Sequence, residues 1–545
     1  MLNIPKRITA FFHRRAAISR LSPSAEQVFD ILREHPESVG FNSNSYLQSN
    51  PDVARAGIDP LLHLVMHGNH EGREASPGFS ARWYADMNGL AEKNANEALL
   101  HMISARSGST RRRVAFFGYA WNSKWRLDAY MSEIVTTLAD LGLDVDVFIG
   151  NQFTRTGGPA GFLDDMDRSD LGDFLKERAY DFAISFNNSL IMPETVSALR
   201  CTVVSIIVDS LSHLFNHMAS GPYEAFGLPI HAAPIYTSLI DDMKNNLGPS
   251  IAATFLPAAT RIGYCDLGAS GDPIAISWIA SLVGDHHLDS LMLRIRELPG
   301  GLKAVGQCLS DIEETGEIRF DDASQAAARA ISQWAGWDYS FLEMQLQNVA
   351  TNTARLSVVE NLLPLGLEVF GNERWHTAFA VSSAAVRAYR SGANLRRHAD
   401  LRAIYDRSKI SINYPQAQAA TGMQYRILDV LASRSLLITK HVPDSDMNRL
   451  FGAGSPIVTF EDMDDLRTKC AYYLDNEHER RDRVKECNSL VARGFSFQER
   501  VRQYLSLSNA ALAGTLATHP ERGVMTLVGV GMVRDWITRR GRWSA

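Results

Sequence analysis

The sequence predicts an α/β protein of two Rossmann-like domains facing a cleft, preceded by a small all-helical repeat module. Three observations carry this reading. From about Arg112 to Ile262, and again from Ile274 to Phe460, short apolar runs alternate with helical stretches, which is the βαβ grammar of parallel sheets. Neither stretch contains G-x-G-x-x-G, so a dinucleotide fingerprint is absent from both. Upstream of them, between Phe41 and about Ile103, the chain repeats itself at a fixed offset. The expected division is 1–36, a basic amphipathic segment; 37–110, the repeat module; 111–265, the first Rossmann-like domain; 271–493, the second; and 494–545, a crossover helix and tail.

Composition narrows the function classes. At 545 residues, with 45% hydrophobic and 21% charged residues, the chain has the make-up of a globular protein of two or three domains. A net charge of −6 argues against a general nucleic-acid binder, which is usually basic, and favours a small molecule or another protein as partner. The five cysteines are odd in number and scattered, with no C-x-x-C, so neither a disulfide framework nor a zinc site is expected and a cytoplasmic location fits.

The opening MLNIPKRITAFFHRRAAISRL is basic and amphipathic, without the apolar core of a signal peptide. Leu2, Ile4, Ile8, Phe11 and Phe12 could enter a lipid surface while Lys6, Arg7, Arg14 and Arg15 meet anionic headgroups; docking on the protein itself is the alternative. The C-terminal end has the same character, an apolar Val524–Val533 followed by Arg534, Arg539, Arg540 and Arg542. That run is short of the ~20 residues a membrane span needs, so the expectation is peripheral contact at the inner face.

In the repeat, Phe41, Tyr46, Asn50, Leu61, Leu62 and His63 recur 38 positions later as Phe79, Tyr84, Asn88, Leu99, Leu100 and His101. Apolar residues at helical spacing around Pro/Gly turns predict two small helical hairpins packed on each other. His63, His67 and His70 suggest a metal site, but only His63 recurs, which favours packing over ligation. The stretch YLQSNPDVARAGIDPLLHLVMHGNHEGRE resembles a module attached to bacterial glycosyltransferases.

In the first α/β domain the expected strands are Val114–Phe117, Val145–Ile149, Phe182–Phe186, Val203–Val208 and Ile235–Thr237, with an amphipathic helix over Asp128–Leu141. In the second they are Ile274–Ile279, Leu367–Phe370, Ile410–Asn413, Leu436–Thr439 and Ile457–Phe460, with a long helical segment over His286–Thr353 and a helix over Met463–Leu474. Ligands of such sheets bind where strands end and helices begin. The stretch SINYPQAQAATGMQYRILDVLASRSLLIT is the clearest such place: a helix entered through Thr421-Gly422 would turn free N–H groups towards an anion. Arg426 and Asp429, three apart on one helix face, then supply a donor for a phosphate and an acceptor for a sugar hydroxyl, which suits a nucleotide diphosphate; a surface ion pair is the alternative.

Two Rossmann-like halves with a phosphate-type helix entry in the second match the layout of GT-B glycosyltransferases. The segments IYDRSKISINYPQ, TGMQYRILDVLASRSLLIT and LFGAGSPIVTFEDMDDLRTKCAYYLDNEHERRDRV resemble the C-terminal domain of CgeB-like, spore-maturation-type glycosyltransferases, and the likeness extends upstream through VVSIIVDSLSHLF, to cover about 112–505. The resemblance implies glycosyl transfer from a nucleotide sugar, with the donor on the second domain and the acceptor, a glycan, lipid-linked molecule or protein, on the first. It places Asn413, Gly422, Arg426 and Asp429 at the donor, with Arg426 neutralising the diphosphate so that no metal or other cofactor is needed. Ser281 is carried over beside them, although Ala280-Ser281 stands where many members have Gly-Ser, and the turn Gly371–Trp375, with Tyr405, would border the base. The long segment that follows Ser281 has no clear counterpart in the family.

An inverting reaction needs a base from the first domain. Asp209, at a strand end with His213 four residues on, and Asp128, at the start of the first helix, are the candidates, whereas a retaining reaction needs none. Three acidic triplets, Asp165-Met166-Asp167, Asp444-Ser445-Asp446 and Asp462-Met463-Asp464, look like metal motifs but fall where Asp caps helices. A helix after Gly494, through about Leu505, should cross back to the first domain and couple cleft closure to donor binding. The competing expectation is a decayed, non-catalytic scaffold that binds a nucleotide sugar or glycan and is recruited through its repeats.

Overall fold

The computed structural model describes residues 18–106, 109–120, 127–150, 163, 166–209, 229–247, 251–262, 272–283, 296–297, 300–303, 305–307, 310, 339–392, 395, 397–416, 419, 421–518 and 520–543. The amphipathic opening, His213 and most of the helical segment expected over His286–Thr353 lie outside the described residues.

The N-terminal region is helical, and the repeated residues make the same contacts twice. The Tyr46 hydroxyl meets His63 Nδ1 at 3.0 Å, and the Tyr84 hydroxyl meets His101 Nδ1 at 2.8 Å. Asn50 Nδ2 donates to the Tyr46 carbonyl at 2.8 Å, and Asn88 Nδ2 to the Tyr84 carbonyl at 2.9 Å. Phe41, Leu61, Phe79 and Leu99 are all buried. The 38-residue period thus encodes one hydrogen-bonded hairpin in two copies. His67 and His70 are exposed while His63 is turned inward to Tyr46, as packing rather than ligation demands.

The first domain is a six-stranded parallel sheet in the order β12-β2-β1-β3-β4-β5. Its strands are β1 (Arg113–Tyr119), β2 (Asp144–Gly150), β3 (Phe182–Phe186), β4 (Val203–Ile207), β5 (Ile230–Pro234) and β12 (Met525–Val528). The second is also parallel, in the order β11-β10-β9-β6-β7-β8, built from β6 (Ile274–Ile279), β7 (Leu367–Gly371), β8 (Tyr389–Ser391), β9 (Ser408–Asn413), β10 (Leu436–Lys440) and β11 (Val458–Phe460). The central strands are buried on both faces and read as the continuous apolar runs expected of such sheets. This is the GT-B architecture, two Rossmann-like domains with the C-terminal ends of their strands towards a shared cleft.

Three expectations need correction. The strand expected at Ile235–Thr237 lies five residues earlier, at Ile230–Pro234, because an edge strand tolerates both the half-buried His231 and a proline. The helix expected from Gly422 begins at Tyr425; Gly422, at φ +77°, makes a turn in which a Cβ would come within 2.9 Å of Val442. The apolar run 524–533, expected at a lipid surface, is folded inside: Met525–Val528 pairs with β2, and Val530 and Val533 are buried. No helix among the described residues is long and apolar enough to cross a membrane.

The return to the first domain is the helix Phe497–Ala513, opened by a Ser496–Glu499 capping box. Ser508 in it donates to the Thr202 carbonyl at 2.7 Å and accepts from the Ala183 amide at 3.1 Å, gripping the starts of β3 and β4. The tail that follows lies between the first domain and the repeats. Asn88 acts there as a surrogate strand, donating to the Met525 carbonyl at 2.9 Å and accepting from the Met525 amide at 3.0 Å, which satisfies the open edge of β12. Gly40 meets Gly531 so closely that a Cβ would lie 2.6 Å from its backbone, and Trp536 Nε1 donates to Glu177 at 2.9 Å.

Replacing Asn88 by Ala leaves the amide and carbonyl of Met525 without their partner. The expected loss is about 1–3 kcal/mol in urea unfolding, with a smaller loss for Asn50→Ala, whose amide seals no strand. Equal losses would disprove the edge-sealing role.

Candidate functional site

The site forms where the two sheets end. On the first domain, β4 runs out at Asp209, and Asn187, after β3, holds it. Asn187 Nδ2 donates to Asp209 Oδ2 at 2.6 Å, and Asn187 Oδ1 accepts from the Val208 and Asp209 amides at 2.8 and 3.3 Å. To do so the backbone at Asn187 and Asn188 takes φ of +48° and +56°, a left-handed conformation that Asn tolerates better than most residues. Asp128 caps the helix Ala129–Asp140, accepting from the Met131 amide at 2.8 Å. Burial pushes its carboxyl up to about 6, and the Asp209 carboxylate adds to the rise. The structure therefore brings the two candidate bases into one neighbourhood.

Across from them stands Tyr425 of the second domain, its ring stacked on Tyr130 of the first with centroids 4.2 Å apart. Burial raises the Tyr425 phenol well above its ordinary value, with Asp128 and Tyr236 contributing. The apposed surfaces are also joined by Asp446, which is fully buried. It accepts from the Thr237 amide at 2.9 Å and the Thr237 hydroxyl on one domain, and from the Thr421 hydroxyl at 2.6 Å on the other.

On the second domain Asn413 ends β9. Its Nδ2 donates to Thr439 Oγ1 at 2.9 Å, which aims its Oδ1 at Arg426, 3.1 Å from a guanidinium nitrogen; Gln424 Oε1 accepts from the same nitrogen at 3.3 Å. Beside Arg426 is Arg355, from the helix Tyr339–Leu362. It is only 1% exposed and donates to the Ser281 carbonyl at the end of β6. Burial lowers Arg355 to about 9, with the charge of Arg426 contributing, and burial lowers Arg426 as well. Two guanidiniums that repel each other and rest on a carbonyl and amide oxygens form a surface that an anion would relieve.

Of the residues read from the sequence, Asn413, Arg426 and Ser281 come together here, with Gly422 in the adjoining turn and the buried Tyr405 hydrogen-bonded to Arg426. Others do not. Asp429, expected at a ribose, is 4% exposed and its Oδ1 faces Thr260 and His398, both at 2.7 Å. Burial alone would lower His398, but Asp429 outweighs it and the imidazole is raised. Trp375, expected beside a base, is fully buried with its indole N–H on the Ala280 carbonyl at 2.7 Å, and at Gly371 a Cβ would strike that same oxygen. Asp167 and Asp462 are N-caps, Asp446 is the bridge described above, and Asp165 lies outside the described residues. Arg355 escaped notice in a Leu- and Gln-rich helix, yet it is the only basic residue in Tyr339–Leu362.

Residues 355–506 match the family described as Glycosyl transferase-like. The match is confined to this segment. It starts at Arg355, holds every second-domain site residue except Ser281, and ends within the helix that returns to the first domain. No curated protein matches the sequence. Among solved structures the chain is similar to sucrose-phosphate synthase from Thermosynechococcus elongatus, at 10% identity and TM-score 0.42, over 74% of this chain and 100% of that one. It is similar to WaaG, a glycosyltransferase involved in lipopolysaccharide biosynthesis, at 12% identity and TM-score 0.42, over 73% and 99%. It is also similar to Anabaena Alr3699/HepE in complex with UDP, at 8% identity and TM-score 0.40, over 72% and 98%.

Because the unfolded chain ionises Asp128 in the ordinary carboxylate range and the folded chain only near pH 6, stability falls as pH rises between the two. Asp128→Asn removes that cost and keeps a cap for Met131. At pH 7.5 the variant should be more stable than wild type by about 1–3 kcal/mol, and at pH 4 nearly equal, as read by chemical denaturation at both values. A difference independent of pH would show that Asp128 is not the group.

Proposed function

We propose that the protein transfers a glycosyl group from a nucleotide sugar to a glycan, lipid-linked or protein acceptor without a metal ion. The observation that carries this is the Arg355–Arg426 pair, a buried and a half-buried guanidinium side by side at the ends of the second sheet, inside the segment that matches the family. A leaving nucleoside diphosphate carries the charge they lack, and their stabilisation of it grows as the glycosidic C–O bond breaks. Arg426 is oriented by Asn413 and Gln424, and Arg355 by the Ser281 carbonyl, so neither has to reorganise during the reaction.

The acceptor hydroxyl enters from the first domain. In a direct displacement its oxygen forms the new bond to the anomeric carbon as the bond to phosphate breaks, and its proton passes to Asp128. A carboxylate with a pKa near 6 is mostly ionised at neutral pH yet basic enough to take a proton, which favours Asp128 as the base. Asp209, tied to Asn187, orients the hydroxyl. Tyr425, stacked on Tyr130, closes the site from the second domain.

Thermal unfolding against a panel of UDP-, GDP-, CMP-, dTDP- and ADP-sugars tests the donor site, since a ligand bound only by the folded state raises the melting temperature. One nucleotide class should stabilise wild type, and Arg426→Ala and Arg355→Ala should each abolish that shift. If no nucleotide shifts wild type, or if both variants still respond, the donor reading is wrong.

A further inference from the structure

A cavity of about 1080 Å³ lies far from the cleft, where the second repeat, the start of β1 and the tail before β12 meet. It opens at the N-terminal ends of the strands whose C-terminal ends reach the catalytic site, so the seven residues of β1 put the two roughly 20 Å apart. The internal repeat supplies its own comparison. In the first unit the Tyr46–His63 pair is covered by Arg73, whose guanidinium donates to Asn50 at 3.0 Å and to both oxygens of Asp52 at 2.9 and 2.8 Å, with Glu71 alongside. In the second unit the position 38 residues after Arg73 is Arg111, and it turns away to Glu521 at 3.1 Å, a side chain 89% exposed on the rim. Nothing described takes the place of Arg73, and His101 lines the open cavity instead.

We propose that this cavity binds a neutral oligosaccharide, holding a remote part of the acceptor glycan while its end reacts in the cleft. The inference rests on the glycosyltransferase reading for its purpose, though not for its chemistry. Planar groups of both hydrogen-bonding senses line the wall: the Glu97 carboxylate accepts, Arg111 and Arg522 donate, and the Gln27 amide does both. Ile31, Ile103 and Val524 offer an apolar strip for the C–H face of a sugar ring. Arg111 is paired with Glu521 and Arg522 with Asp140 at 2.8 Å, and Lys93 and Glu97 line the same wall with opposite charges, which suits a ligand without net charge. Arg522 is fixed further by the Asn88 carbonyl at 3.0 Å, so part of the wall is ordered before any ligand arrives.

The test is an array of neutral and acidic oligosaccharides of one to eight sugars, followed by titration calorimetry of the full chain with the best neutral binder. Ser104→Trp, at an exposed helical position on the cavity wall, and Glu97→Gln should each weaken binding at least tenfold, while Glu92→Gln, outside the cavity, should not. The stabilisation by nucleotide sugars should persist in both cavity variants, which shows that they are folded and separates this site from the donor site. Absence of any bound oligosaccharide, preference for the acidic ones, or binding that survives Ser104→Trp would each overturn the proposal. If oligosaccharides bind as expected but no nucleotide stabilises wild type, the donor reading alone fails.

Discussion

The arrangement depends on two carboxylates buried where the domains meet. Asp446 is satisfied only while Thr237 of the first domain and Thr421 of the second both donate to it, and Asp429 only while Thr260 and His398 do. A charge in such a place is costly unless every lone pair finds a donor, so domains that slide apart expose or strand both. The two carboxylates serve different places. Asp446 sits beside the Thr421-Gly422 turn at the cleft, and Asp429 sits beside Thr260, whose amide donates to the Phe495 carbonyl where the outgoing and returning chains run together. One therefore registers the reacting surfaces and the other the crossing, and Arg426 stands between them on the same helix as Asp429.

Much of the scaffold was legible because parallel strands buried on both faces leave an apolar run that few other structures produce. β3 and β6 have the very limits that their apolar runs predict. β5 and β12 were misread for opposite reasons. An edge strand can carry His231 and end in Pro234, so its pattern was too polar, whereas the apolar run that contains β12 looked like a surface anchor because its partner β2 lies some 380 positions upstream. The six repeat identities were the most reliable signal of all, since each proves to be a packing residue or a member of the Tyr–His–Asn hydrogen-bond set.

The site was legible in part. Asn413 and Arg426 are thirteen residues apart, and the intervening strand, turn and helix form one local unit that can be read from spacing. Arg355 joins them from a different βα unit, and Asn187 reaches Asp209 from a neighbouring strand; only tertiary structure makes those pairs. Asp429 shows the converse difficulty. Its spacing from Arg426 is right for one helix face, but a face three residues wide contains both a cleft edge and an interior, and His398 claims the carboxylate for the interior.

The pairing of β12 with β2 also sets an order of events in the cell. The ribosome delivers β1 to β5 early, yet the strand that flanks β2, and with it the Met525 backbone that Asn88 grips, emerges only after the whole second domain has been made. Until then β2 is an exposed edge beside an unfilled groove of the repeat module, open to any extended segment that meets it. The repeat module meets the sheet through β12, by way of Asn88 and Met525, so the beginning of the chain is locked to the first domain only when its end arrives.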